Sequence, residues 1–355
     1  STETPANMLT YDATYAVSGY VSSASGTAVS GAGNYIYFRI GLTSTYAATG
    51  NNPARYALVL LRYGTPQKYH IIYIRQGEKP DYLMYPSDDS RGSAAVQFCA
   101  YNVTASDLTN NDELVEILPN RSNAVFTDYP TQAGALFQWS EVLTYGPLAY
   151  NPVNPITPVI WYDIPTGSFW STLKATSESC PPGYRRPNDG STITVALNAS
   201  STAIKNSEIR QSLYATPTVG DNFNDANLRW GFYADGYFDR RDHNNSFIAN
   251  PGEGGSAIAS NTAVSWTTKD VAYVGSLLFN PVSGSLRENA SLFIPAAGNR
   301  HSEQGALVEG GEAGFLLSSS GPNGTDMWYL VGSSFGTGQL SSTRKHGMSL
   351  RCVPE

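Results

Sequence analysis

The sequence predicts a β-rich α+β protein built from two modules, a small antiparallel β-sandwich and a larger domain of short helices, strands and long loops. Three observations predict it. Charged residues are 14% of the chain, against about a quarter in an average globular domain. In their place stand 33 Gly, 23 Tyr and many Ser, Thr and Asn, a composition of strands and turns rather than helices. Residues 35–76 read as strands joined by turn chemistry, and beyond Pro80 that pattern breaks. With 355 residues the chain is long enough for two domains.

The elements follow in order. Tyr15–Val21 reads as a weak strand and the Ser/Gly/Ala-rich Ser22–Gly33 as a loop. Tyr35–Ile40, Tyr56–Tyr63 and Tyr69–Arg75 are rich in β-branched and aromatic residues, and Gly64-Thr65-Pro66-Gln67 between the last two predicts a hairpin. Pro80, Pro86 and the polar Ser87–Ser93 run then interrupt the pattern, because proline removes a ladder donor and restricts the residue before it. The division expected is a sandwich over 1–80, a linker over 81–94 and a second domain over 95–355. In that domain Ser168 is a candidate helix cap for a segment through Lys174. Asn206 is a candidate cap for Ser207–Tyr214, where Ile209 and Leu213 share a face. Strands return at Ser291–Ile294, Phe315–Ser319, Met327–Val331 and Met348–Val353.

Several function classes are disfavoured by composition. Net charge is −7 and no basic run occurs, so nucleic acid is not expected as a partner. The longest strongly apolar stretch, Ala57–Leu61, is far below the roughly 20 residues of a membrane-spanning helix. Ser1 stands without a Met, a charged region or an apolar leader, which is compatible with a removed leader or a start inside a longer protein. Low Lys and Glu with abundant Tyr, Asn, Ser, Thr and Gly suits an exported protein of the outer cell surface. Cys99, Cys180 and Cys352 permit one disulfide with one thiol left over, and their spacing excludes a C-x-x-C site.

Four stretches, Cys180-Pro-Pro-Gly-Tyr-Arg-Arg-Pro187, Phe293-Ile-Pro-Ala-Ala-Gly-Asn-Arg300, Ser318-Ser-Ser320 and Gly347-Met-Ser-Leu-Arg-Cys-Val353, resemble in order and spacing the FISUMP family, the Fibrobacter succinogenes major paralogous domain. Its members carry CPxGWRxP, LPAAGxR and WSSS motifs and a closing GFSVRCV strand. The resemblance covers about Ala95 to Glu355, and Val96–Val103 and Gly134–Trp139 fit more loosely. It implies a variant of the C-type lectin fold, with paired terminal strands, two flanking helices and long loops on one side. This chain departs from the pattern at Tyr184, where Trp is usual, at Arg186, where an apolar residue is common, and at Phe315-Leu-Leu before the serines. These departures bear on packing, surface character and ligand specificity. Tyr69-His-Ile-Ile-Tyr-Ile-Arg-Gln-Gly77 is similar to the last strand of immunoglobulin-like modules in Bacteroidetes surface and fimbrial proteins. The family resemblance implies a Cys180–Cys352 disulfide; a Cys99–Cys352 pair and unpaired thiols are the alternatives.

The segment Trp230–Arg241 interleaves aromatics with Asp235, Asp239, Arg240 and Arg241. Aromatic faces and carboxylates are what a lectin-like surface uses to hold a sugar, so Asp235, Tyr237 and Asp239, with His243 and Asn244 just beyond, are the candidate ligand-binding residues. The competing reading is a core under a loop, with Asp239 paired to a neighbouring Arg. Asp221, Asn222, Asn224, Asp225 and Asn227 crowd oxygen donors together, but Phe223 and Ala226 defeat both registers of a calcium loop, and no metal is expected. His70, His243, His301 and His346 lack a Gly-x-Ser-x-Gly elbow, and Asp235 with Asp239 is an unsupported carboxylate pair. The expectation is a protein without catalytic residues or cofactors, an adhesin of the cell surface or fimbria. Its partners would be a glycan, a surface protein or other fimbrial subunits. A structural pilus or envelope subunit and a carbohydrate-active enzyme are the alternatives.

Overall fold

The computed structural model describes residues 9–12, 29–30, 36–37, 39–42, 45–46, 54–63, 68–77, 96–105, 115–116, 124–138, 148–150, 178–189, 207–214, 228, 230–235, 238–239, 275–279, 290–303, 305–323, 325–333 and 336–355. Most of these are strand, with one short α-helix among the described residues, so the β-rich part of the expectation holds. The segments 15–21 and 168–174 lie outside the described residues.

Two sheets dominate. The first has six strands in the order Ser291–Pro295, Gly275–Phe279, Trp230–Asp235, Phe238–Asp239, Lys68–Gln76 and Arg55–Tyr63. The expected hairpin forms, with Arg55 opposite Gln76 and Tyr63 opposite Lys68. It does not stand apart: Phe238 pairs with Ile72 and Asp239 with Ile71. The division expected at 81–94 therefore separates two lengths of sequence that share one sheet. Tyr73 stacks on Phe279 at 5.6 Å between ring centroids, and both are buried with Ile71, Leu277 and Phe293. The Gly275–Phe279 strand, which no sequence expectation covered, is buried along its whole length.

The second sheet has nine strands. Its main path runs Thr337–Thr343, Asp326–Ser333, Ala313–Leu317, Gly347–Ser349, Leu136–Gln138, Leu148–Tyr150 and Val115–Glu116. Asn299–Arg300 and Leu307–Val308 join it beside Gly347. Leu316 and Leu330 on one face meet Leu278, Leu292 and Ile294 of the first sheet. On the other face Phe315, Leu317, Tyr329 and Val331 enter a core with Phe137, Met348, Leu350 and the three cysteines. Burial on both faces explains the unbroken apolar run Phe315-Leu-Leu317. The sheets approach at glycines: a Cβ on Gly314 would strike the Pro295 carbonyl and one on Gly332 the Ser276 side chain.

Two boundaries differ from expectation. The helix is Glu208–Leu213, capped by Ser207 rather than Asn206; the Ser207 hydroxyl oxygen accepts from Arg210 N. Ile209 and Leu213 are buried in the core between the sheets. The closing strand is not continuous over 348–353. It leaves the second sheet after Ser349, pairs at Arg351 with Asn102, and then pairs Val353 with Arg185. Arg351 causes the switch. Its guanidinium donates to the carbonyls of Cys99, Ala100 and Phe293 and to Asn102 Oδ1, at 2.7–3.2 Å. A fully buried cation bonded to those carbonyls holds the closing segment against residues 99–102 and 293.

Candidate functional site

Near the point where Asn299–Arg300 meets Gly347, a cavity of about 240 Å³ opens on the second sheet. Ala313, Phe315, Tyr329, Val331 and Met348 make its apolar part, all of them nearly inaccessible core residues. Asn299, Glu309, Glu312, Ser342 and His346 bring polar groups to it. Strand alternation accounts for the apolar wall: Phe315 pairs with Val331 and Ala313 with Ser333, so these side chains share one face.

The polar groups are wired together. Asn299 Nδ2 donates to Glu309 Oε2 at 2.8 Å, and its Oδ1 faces His346 Nδ1 at 3.2 Å. Because the amide spends its donor on the carboxylate, its oxygen is left to accept, which puts the proton of that contact on the imidazole nitrogen. His301 meets His346 edge to face, 5.5 Å between ring centroids. Burial holds the His346 imidazole below the ordinary value, helped by neighbouring His301 and opposed by the Arg300 backbone. Burial raises the Glu309 carboxyl, the Asn299 hydrogen bond opposes this, and Glu312 adds to it.

Glu309 sits at φ 56°, a left-handed conformation that costs a non-glycine residue on the order of 1 kcal/mol. The turn Glu309-Gly-Gly-Glu312 maintains it: the N–H groups of Glu312 and Ala313 both donate to the Glu309 carbonyl at 3.0 Å. Gly298 is at φ 71°, and a Cβ there would strike the Val308 carbonyl, which explains a glycine before Asn299. Asn299 and Met348, residues of two of the motif stretches, thus reach one cavity.

The other motif stretches build structure. Glu178, nearly inaccessible, accepts from the N–H groups of Ser179, Cys180 and Arg186 and from Arg186 Nε, at 2.8–3.2 Å. Arg186 is therefore not a surface feature bearing on specificity; it is fully buried and answered by Glu178. Tyr184 packs edge-on against Phe126 at 5.0 Å. Ser318 Oγ donates toward the Trp328 and Ser320 carbonyls, and Ser320 Oγ bonds Asn188, so the serine triplet docks the 187–189 turn. Asp189 pairs with Arg210 at 3.5 Å, both buried, and burial raises its carboxyl against the pull of Arg210. Cys180 and Cys352 form a disulfide, Cα–Cα 6.0 Å. Cys99 is free, and burial pushes its thiol up to about 12 despite Arg351 and Arg75 nearby.

Of the residues selected from sequence, Asp235 and Asp239 fall in strands rather than a loop: Asp235 pairs with Phe238 and Asp239 with Ala234. Phe232 of the same segment is buried and Trp230 packs against the core. Tyr237, His243 and Asn244 lie outside the described residues, as do 221–227. Sequence reasoning set aside His301 and His346 for want of a Gly-x-Ser-x-Gly elbow and passed over Glu309 and Glu312; the signal was the Gly-Gly turn between two glutamates beside the Asn299 motif. Among the described residues no group of three or more His, Cys, Asp or Glu is placed to hold a metal ion, and no helix is long and apolar enough to cross a membrane. No family model, curated protein or solved structure matches the chain.

Proposed function

We propose that the chain is a non-catalytic adhesin of the outer cell surface or fimbria that holds a glycan in the Asn299–Glu309–His346 cavity. In this reading residues 95–355 are a C-type-lectin-like, FISUMP-type domain, and the Arg55–Gln76 hairpin is the N-terminal segment's contribution to its six-stranded sheet. The observation that carries it is the cavity itself. A space of about 240 Å³ with aromatic and aliphatic walls, edged by an amide, hydroxyls, an imidazole and carboxylates, suits one sugar ring. Its C–H face would lie on the apolar wall and its hydroxyls on the polar edge. Single-site binding would be weak, and many copies on one cell would supply avidity.

A glycan array probed with the full chain tests this. Binding should fall at least about tenfold in Asn299→Ala, which cuts the link between His346 and Glu309. Hydrolysis of any bound oligosaccharide by the wild type would replace the adhesin reading with that of a carbohydrate-active enzyme. A structural pilus or envelope subunit is the second reading, favoured by one observation. The nine-residue Arg55–Tyr63 strand ends the order of the six-stranded sheet among the described strands, a position where another chain could add a strand.

A further inference from the structure

We infer that the sugar this cavity holds is an amino sugar with a free, unacetylated amine, recognised as an ammonium ion by Glu309 and Glu312. The inference rests on the glycan reading of the site and names the ligand class within it. Two carboxylates three residues apart reach the cavity, and no Lys or Arg is among its described lining residues. A neutral sugar needs hydroxyl partners, which Asn299, Ser342 and His346 already provide. A carboxylate also accepts from the hydroxyls of a neutral sugar, but two acidic groups at one opening with no Lys or Arg among the described lining residues carry a net negative charge that only a cation neutralises.

The two acids are differently held. Glu309 is fixed by Asn299 Nδ2 and by its turn, so one carboxylate oxygen is oriented before any ligand arrives. Glu312 is exposed at the opposite end of that turn. A carboxyl displaced upward by burial and by a like-charged neighbour is one that an incoming cation would relieve. His346, which meets Asn299 Oδ1, is half-buried and its imidazole is held below the ordinary value by that burial, so near neutral pH it adds no competing positive charge.

The experiment is ligand-observed NMR titration of the full chain with glucosamine, glucose and N-acetylglucosamine near pH 7. Glucosamine should bind at least about tenfold more tightly than the other two, the discrimination expected of a charge-assisted pair. The preference should shrink on raising salt from about 0.1 to 0.5 M. It should also weaken on acidification, as Glu309 takes up a proton and His346 becomes cationic. Glu309→Gln keeps an acceptor for Asn299 and should abolish the preference; Glu312→Gln, at an exposed position, should halve it or more while leaving the thermal midpoint unchanged. Equal binding of all three sugars, insensitive to both substitutions, would overturn amine recognition and leave the glycan reading standing. No binding of these sugars or of any arrayed glycan would overturn both.

Discussion

Arg351 and Glu309 are both charged residues on segments that flank the Gly347–Ser349 strand, yet their surroundings are opposite. Arg351 is completely enclosed, and its guanidinium is bonded to three backbone carbonyls and Asn102. Glu309 is half in solvent, strained, and bonded at one carboxylate oxygen to Asn299. A charge whose bonding capacity is spent inside the fold fixes the path of the chain. One that keeps capacity at a cavity is available to a ligand. Glu178 and Asp189 belong with Arg351, each met by a buried arginine and backbone or hydroxyl donors. His346 belongs with Glu309.

The comparison is broken most directly at Arg351. Arg351→Met should cost about 3–5 kcal/mol in a denaturant titration, because the carbonyls of Cys99, Ala100 and Phe293 lose their donor in a dry interior. A loss below about 1 kcal/mol would mean that the closing segment is not held by this cation.

Next is the cross-link beside it. Replacing Cys180 and Cys352 together by Ser should cost about 2–5 kcal/mol, since the bond closes a loop with a sequence separation of 172. Cys99 should resist alkylation in the native wild type, its buried thiol being pushed up to about 12, and react once on unfolding. A peptide map linking Cys99 to another cysteine would contradict the arrangement.

The smallest effect sharpens the other side. His346 has its folded pKa depressed, so its contribution is present above the unfolded value of about 6.5 and is lost as pH falls through the folded value. Glu309 runs the other way: its folded pKa is raised, so its contribution is full below the ordinary value near 4.5 and lost as pH rises through the folded one. Stability measured from pH 7 downward should therefore decline first with His346, and His346→Gln should flatten that decline. An unchanged slope in the variant would assign the acid sensitivity elsewhere.

Much of the strand content was legible because it depends on local patterning. Val59, Ile71, Ile72 and Tyr73 declared a hairpin, Leu316-Leu317 and Met327–Val331 declared buried strands, and Ile209 with Leu213 declared a helical face. The site was not legible in the same way. Trp230–Arg241 looked like a binding segment because aromatics and charged residues interleave there, but such interleaving equally suits a strand, which Trp230–Asp235 forms. Glu309 and His346 are separated in sequence and carry no pattern between them. They become neighbours only through Asn299, which the pairing of Arg300 with Gly347 brings alongside.

The sequence by itself determined the β-rich character and the hairpin, since side-chain alternation and turn residues act over a few positions. It also limited disulfide formation to one bond, because three cysteines allow no more. Only the tertiary structure decided that the hairpin joins the sheet of the later strands. It alone buried Arg186 and Arg351 against specific acceptors and gathered Asn299, Glu309 and His346 around one cavity. Those outcomes depend on contacts between residues far apart in the chain, and their energies come from burial and mutual orientation that exist only once the sheets have packed.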